Sequence, residues 1–71
     1  MEKLINENEI TVKDRIEFRK KQLIRQYNEG INNYSQSVNQ FYGFLVALND
    51  FNIITFEELQ KNHADFVEKI L

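Results

Sequence analysis

The fold is decided by residues 27–38, which read Tyr27-Asn28-Glu29-Gly30-Ile31-Asn32-Asn33-Tyr34-Ser35-Gln36-Ser37-Val38. Apolar side chains cross this polar stretch at alternating four- and three-residue steps, and the same spacing continues to Leu48. This is the spacing of the a/d seam of helices packed side by side. The stretch therefore favours one continuous helix, although most of its other residues are weak helix formers.

An eleven-residue repeat extends the seam toward the N-terminus. One set of repeated positions is Val12, Leu23, Tyr34 and Leu45, and the other is Ile16, Tyr27 and Val38. Eleven residues give 3.67 residues per turn, so both sets lie on one nearly straight stripe of a helix. Because a loop would have no reason to preserve this phase across Gly30, we predict a single helix over residues 12–49.

A break at Gly30 is the alternative. Glycine costs about 1 kcal/mol relative to alanine inside a helix, and asparagine and serine are also weak helix formers. A break would give three short helices in a monomeric bundle, with Ser37 and Gln40 as a capping box.

Two helix starts are visible in the sequence. Thr11 can cap the first helix, with Asp14 favourably placed against the helix dipole. Thr55-Phe56-Glu57-Glu58 is a capping box, and Ile54 and Leu59 stand where a hydrophobic staple would close it. We therefore predict an all-α helical hairpin with a second helix over 56–70. Residues 1–10 form a loose arm, and residues 11–71 form one domain.

The lengths of the two predicted helices call for a second chain. The first would be about 57 Å long and the second about 22 Å, so the short helix can cover less than half of the long one. An uncovered apolar stripe usually marks an interface. We therefore predict a homodimer forming a four-helix, coiled-coil-like bundle. Its interface would comprise Ile16, Leu23, Tyr27, Ile31, Tyr34, Val38, Phe41, Leu45 and Leu48.

Charge is unevenly distributed along a chain whose net charge is only −2. Residues 13–25 carry a local charge of +4, and residues 50–71 carry −3. Three interpretations compete for the basic segment: a solvated face with pairs such as Glu17–Lys21, charge complementarity between subunits or with an acidic protein, and a contact for nucleic acid phosphates. The candidate contact residues are Lys13, Arg15, Arg19, Lys20, Lys21 and Arg25. A partner groove could also receive the C-terminal residues Phe66, Val67, Ile70 and Leu71.

Catalytic chemistry is poorly supported by the sequence. There is no cysteine, and the only histidine, His63, has no strong metal ligand three or four residues away. No glycine-rich phosphate loop is present. The longest apolar stretch is eight residues, Phe41 to Leu48, which is far below the roughly 18–20 needed to cross a bilayer. We therefore predict a non-enzymatic cytoplasmic protein that has no cofactor or metal and does not insert in a membrane.

Residues 44–59, Phe44-Leu45-Val46-Ala47-Leu48-Asn49-Asp50-Phe51-Asn52-Ile53-Ile54-Thr55-Phe56-Glu57-Glu58-Leu59, resemble the ends of small helical proteins from phages and related mobile elements of low-GC Gram-positive bacteria. Such proteins include internal capsid scaffolds built as long-helix dimers, and regulators that inhibit host proteins. The resemblance implies a setting in a bacterial host cell and no particular site residue. We predict a homodimeric protein-binding or scaffolding accessory of the kind that serves phage or mobile-element assembly. The alternative is a regulator that contacts nucleic acid or an acidic partner through the basic segment.

Overall fold

The computed structural model describes residues 11–71, which form three α-helices and no strand. Helix α1 spans Val12–Asn28, α2 spans Tyr34–Asp50 and α3 spans Phe56–Ile70. The all-α prediction is therefore confirmed for these residues, whereas the single helix over 12–49 is wrong. The predicted loose arm, residues 1–10, lies outside the described residues.

Each helix begins with a reciprocal capping box. The side chain of the N-cap residue accepts a hydrogen bond from the backbone N–H three residues on, and the side chain of that third residue accepts one from the N-cap N–H. The N-cap residues are Thr11, Asn33 and Thr55, and their partners are Asp14, Gln36 and Glu58. The caps at Thr11 and Thr55 were predicted. The middle cap lies at Asn33 rather than at Ser37, which is buried and donates its hydroxyl proton to the Asn33 carbonyl over 2.9 Å.

Helix α1 ends because Gly30 adopts a left-handed backbone with φ +80°. The Gly30 N–H donates to the Tyr27 carbonyl over 3.1 Å, and the Ile31 N–H donates to the Gln26 carbonyl over 2.9 Å. These two bonds form a Schellman motif, which satisfies the last helical carbonyls and turns the chain away from the helix axis. A chain turned in this way cannot continue the helical hydrogen bonds, so the long helix is interrupted at this glycine.

The apolar stripe keeps its phase across the break because the capped helices themselves recur. Thr11, Asn33 and Thr55 lie 22 residues apart, and so do Gly30 and Asn52, the two left-handed residues. Twenty-two residues correspond to about six turns at 3.67 residues per turn. A unit of one helix plus one connection therefore reproduces the periodicity of a continuous rod, which explains why the eleven-residue repeat was misinterpreted.

The core lies between the three helices. Its buried apolar members are Ile16, Leu23, Phe41, Leu45, Ile54, Leu59, Phe66 and Ile70. At its centre the rings of Phe41 and Phe66 stack with centroids 4.5 Å apart, which joins α2 to α3. The predicted staple residues, Ile54 and Leu59, both belong to this core.

Four of the nine residues of the predicted dimer seam are buried in this core. Ile16, Leu23, Phe41 and Leu45 are at most 3% exposed within the single chain, so they are not accessible to a second copy. The seam was expected to be too long for its own C-terminal helix to cover. Ile16 and Leu23 are covered because the chain folds back at Gly30, whereas Ile31 and Tyr34 stay 61% and 37% exposed.

Candidate functional site

The strongest candidate for a binding site is a shallow groove between α1 and α2. Its wall on α1 is made by Asp14, Arg15, Phe18, Arg19 and Gln22, and Phe44 of α2 forms its opposite side. We call these six residues the α1 groove. It combines an exposed aromatic side chain with cations, a composition that is common at protein interfaces.

Phe18 is the most exposed apolar side chain in the groove, with 69% of its surface accessible. The buried positions Ile16 and Leu23 define the inner face of α1, and Phe18 lies off that face. Phe44 is partly buried and its ring lies 6.2 Å from that of Phe41, which stacks in turn on Phe66. The α2 side of the groove is therefore supported by the core.

Arg15 and Arg19 provide the positive charge of the groove. Arg15 is exposed, and the Nη1 of Arg19 donates a 2.8 Å hydrogen bond to the Oε1 of Gln22. Arg25 and Lys21 follow on exposed positions of the same helix. Within residues 11–71, none of these four cations has a carboxylate within 4.0 Å. Their charge is therefore available to a ligand.

Lys20 differs from the other basic residues predicted to contact a partner. It is 3% exposed, and its Nζ lies 2.6 Å from Oδ2 of Asp65 and 2.9 Å from Oε2 of Glu17. The residue thus ties α1 to α3 and is unavailable as an external contact. The predicted pair Glu17–Lys21 is replaced by Glu17–Lys20, because only Lys20 lies on the inner face near Asp65.

The Lys20–Asp65 pair changes the pKa of both groups. Burial by itself lowers the pKa of Lys20, but the hydrogen bonds to Asp65 and Glu17 outweigh burial and raise it above 10.5. The hydrogen bond from Lys20 lowers the pKa of Asp65 below 3.8. Both groups are therefore held in their charged forms at neutral pH.

The cations that line the groove all lie on α1. Helix α2, which forms the other side of the groove, contains no lysine or arginine, and its single charged residue is Asp50 at the C-terminal end. Exposed carboxylates on α3 include Glu57, Glu58 and Glu68. A ligand in the groove therefore meets positive charge on one side and neutral, partly apolar surface on the other.

The remaining members of the predicted dimer seam are scattered. Ile31 is 61% exposed and Tyr34 37% exposed at the α1–α2 connection, while Tyr27, Val38 and Leu48 are partly buried. The structure does not bring them together as one continuous surface with Ile16, Leu23, Phe41 and Leu45, which lie in the core.

The predicted C-terminal docking residues are also divided between core and surface. Phe66 and Ile70 are buried, Val67 is half-buried and Leu71 is 86% exposed. Phe66 and Ile70 therefore serve the packing of α3, and only Leu71 is fully presented to solvent.

His63 lies in a second groove between α2 and α3. Its ring meets the ring of Tyr42 edge-on, with centroids 5.0 Å apart, next to Val38, Phe56 and Leu59. Among the residues that the structure describes, no three His, Asp or Glu side chains are arranged to hold a metal ion. None of the three helices is both long and apolar enough to span a bilayer.

Sequence reasoning missed the contribution of Phe44. Phe18 was recognisable because it stands off the apolar stripe among basic residues, and Arg15 and Arg19 belong to the predicted basic segment. Phe44 belongs to a different helix, and only the chain reversal at Gly30 places α2 beside this face of α1. A long-helix interpretation gave no reason to associate the two phenylalanines.

Over residues 11–71 the chain forms a small bundle of three helices. Comparison with known proteins does not extend this description, since no family model, curated protein or solved structure matches the chain.

Proposed function

We propose that this chain is a non-enzymatic binding protein whose α1 groove receives an acidic segment of another protein. One observation carries the proposal: Phe18 is 69% exposed between Arg15 and Arg19, neither of which has an ion-pair partner within residues 11–71. An exposed aromatic residue flanked by arginines is the composition of an interface hot spot.

Two contributions to binding are expected from this arrangement. Covering Phe18 removes a large apolar surface from water, which supplies affinity. Arg15 and Arg19 attract carboxylates and set the orientation of the partner, which contributes mainly to association rate and specificity. The predicted scaffolding role drew on a long-helix dimer and on the resemblance to phage proteins, and it is no part of this proposal.

The charge distribution favours a protein over nucleic acid. A nucleic acid backbone carries regularly spaced phosphates, and proteins that bind it commonly present a broad basic surface. Here the cations that line the groove lie on α1, the facing side of the groove on α2 is neutral, and Asp14 lies within the groove itself. A short acidic protein segment matches this limited positive surface better than an extended polyanion does.

The proposal can be tested with an amide-resolved NMR titration of the chain against poly-L-glutamate and, separately, a random DNA duplex. We expect poly-L-glutamate to shift the amides of residues 14–25 and to bind at least about tenfold more weakly after Arg15→Glu with Arg19→Glu. The matched control is Lys61→Glu, which reverses an exposed cation on α3 and should leave these shifts in place. Shifts spread evenly over all three helices, or tighter binding of the duplex, would contradict the proposal.

Self-association is a second candidate function, favoured by a different observation. Phe51, Ile53 and Phe56 are 77%, 48% and 59% exposed within six residues at the α2–α3 connection. Exposed apolar residues so close together commonly mark an interface, and a second copy would carry the same residues for a twofold contact. The predicted homodimer is thus retained as a proposal, with this connection in place of the buried seam.

Light scattering coupled to size exclusion measures this self-association directly. A dimer of the 8.6 kDa chain should become monomeric after Phe51→Ser with Phe56→Ser, while the exposed control Phe18→Ser should leave it unchanged. A wild-type chain that stays monomeric at millimolar concentration would exclude the dimer.

A further inference from the structure

We infer that the acidic segment bound by the α1 groove is an amphipathic helix, with its apolar edge on Phe18 and Phe44 and its carboxylates beside Arg15 and Arg19. The inference rests on the proposed function and specifies the partner of the same site. Four observations lead to it.

The first observation is the shape of the groove. It runs between two helices, with its polar wall on α1 and the supported ring of Phe44 on α2. Packing a third helix into the furrow between two others is a common way to cover such a surface. A helix can place one of its faces against both sides at once.

The second observation is the spacing of the arginines. Arg15 and Arg19 are four residues apart on α1, which corresponds to a rise of about 6 Å along the axis. Carboxylates four residues apart on an incoming helix have the same spacing and lie on the same face. An adjacent line of apolar residues on that helix would then meet Phe18 and Phe44.

The third observation is the polarity of the groove. Asp14 lies at its end nearest the start of α1, where its carboxylate is held by the Thr11 N–H over 3.3 Å. The other end carries Gln22, with the exposed Arg25 one turn beyond it. The acidic end of the partner helix should therefore lie toward Gln22 and Arg25, and a neutral or basic end toward Asp14.

The fourth observation is that two side chains of the groove are already held in place. Phe44 is fixed through Phe41 to the core, and Arg19 is held by its hydrogen bond to Gln22. A largely preformed surface reduces the entropy lost on binding. The partner, if it is unstructured when free, is then the component that gains helix on binding.

The experiment compares two synthetic peptides of identical leucine and glutamate composition, each of about 14 residues, which spans about 21 Å when helical. One places leucines at helical spacing with glutamates along one adjoining edge, concentrated in one half of the peptide, and the other is scrambled. We expect the amphipathic peptide to bind at least about tenfold more tightly by fluorescence anisotropy, and to gain helix by circular dichroism. Phe18→Ala should reduce its affinity about tenfold, whereas Tyr42→Ala, at an exposed aromatic residue of α2 outside the groove, should leave it unchanged.

A paramagnetic label on either end of the amphipathic peptide tests the direction. The label at the acidic end should broaden the amides of Gln22 and Arg25, and the label at the other end should broaden that of Asp14. Equal affinity of the two peptides, with poly-L-glutamate still bound at the α1 groove, would overturn this inference and leave the proposed function standing. Absence of binding by every acidic probe, or displacement of the peptide by random duplex DNA at a lower concentration, would overturn both.

Discussion

The two connections between helices have the same backbone and different side chains. In each, a left-handed residue closes a Schellman motif: Gly30 after α1, and Asn52, with φ 60°, after α2. The Ile53 N–H donates to the Leu48 carbonyl over 2.8 Å, just as Ile31 donates to Gln26. A chain reversal of this kind is therefore specified by hydrogen bonds that two quite different sequences can make.

The difference lies in how each connection is attached to the core. Before the cap of α3, Ile54 is 6% exposed and packs in the same cluster as Leu59. At the equivalent places before and within α2 stand Asn32 and Ser37, and Asn32 donates to the side chain of Gln26 over 3.0 Å. The second connection is held by the apolar burial of Ile54 as well as by a hydrogen bond from Asn49 to the Ile54 carbonyl, whereas the first has polar side chains at the equivalent positions.

The largest expected effect on stability comes from replacing Ile54, the buried apolar residue of the second connection. Ile54→Ala should lower the free energy of unfolding by about 3 kcal/mol, because it removes a core side chain and leaves a cavity. Asn32→Ala, at the equivalent position, should cost about 1 kcal/mol or less. Chemical denaturation of both variants measures the difference, and equal losses would show that the two connections are anchored alike.

The next effect concerns the left-handed residues. Gly30→Ala should lower the free energy of unfolding by about 1–2 kcal/mol. The cause is backbone strain alone, since an added Cβ at Gly30 meets no atom within 4 Å. Asn52→Gly should change stability by only a few tenths of a kcal/mol, because glycine adopts the same conformation without strain. If Gly30→Ala were stabilising instead, with α1 and α2 fused into one rod by NMR, the interrupted helix described here would be wrong.

Capping should affect the two connections equally. Asn33→Ala and Thr55→Ala each remove the side-chain acceptor of a complete capping box and should each cost about 1 kcal/mol. The double variant should show the sum of the two losses, because the caps serve different helices. A much smaller loss in the free energy of unfolding for Asn33→Ala than for Thr55→Ala would contradict this equality. It would show that the first connection depends less on its cap than the second does.

The sequence predicted the anchored connection and missed the polar one. Thr55, Glu58, Ile54 and Leu59 carry the full signature of a capped and stapled helix start. Asn33 and Gln36 carry the same capping pattern without an apolar staple, and the 22-residue recurrence of the caps concealed the break.

The candidate site shows the same division between local and tertiary information. The basic composition of α1 and the outward position of Phe18 can be derived from the sequence. Helical spacing also places Lys20 four residues after Ile16 and three before Leu23, which identifies it as an inner position. Its partner Asp65 and the position of Phe44 beside Phe18 depend on how the helices pack, so a pattern within one helix cannot predict them.

The smallest expected effect concerns the contacts that join α1 and α2, the helices on either side of the first connection, to α3. Helix α2 is joined to α3 by stacked aromatic rings, whereas α1 is joined to α3 by the ion pair of Lys20 with Asp65. Because the pKa of Asp65 lies below 3.8 in the folded chain, the unfolded chain binds the proton first as the pH falls. The stability contributed by Asp65 is therefore complete at neutral pH and decreases from about pH 5 downward. The raised pKa of Lys20 gives the opposite sign, so its contribution is present below pH 10.5 and is lost above it.

Lys20→Met isolates this ion pair because methionine retains most of the buried aliphatic stem. The Asp65 side chain is 38% exposed and can be solvated again, so we expect a loss of about 1 kcal/mol or less at pH 7. The variant should also lose part of the decrease in stability between pH 5 and pH 3, as measured by urea unfolding at each pH. The control Lys69→Met removes a longer contact to the same carboxylate, at 3.6 Å from an exposed lysine, and should leave most of that pH dependence intact. An unchanged pH dependence of stability in Lys20→Met would mean that α1 is joined to α3 by apolar contacts alone. The two helix pairs would then not differ in the way proposed, with an ion pair joining one and aromatic stacking joining the other.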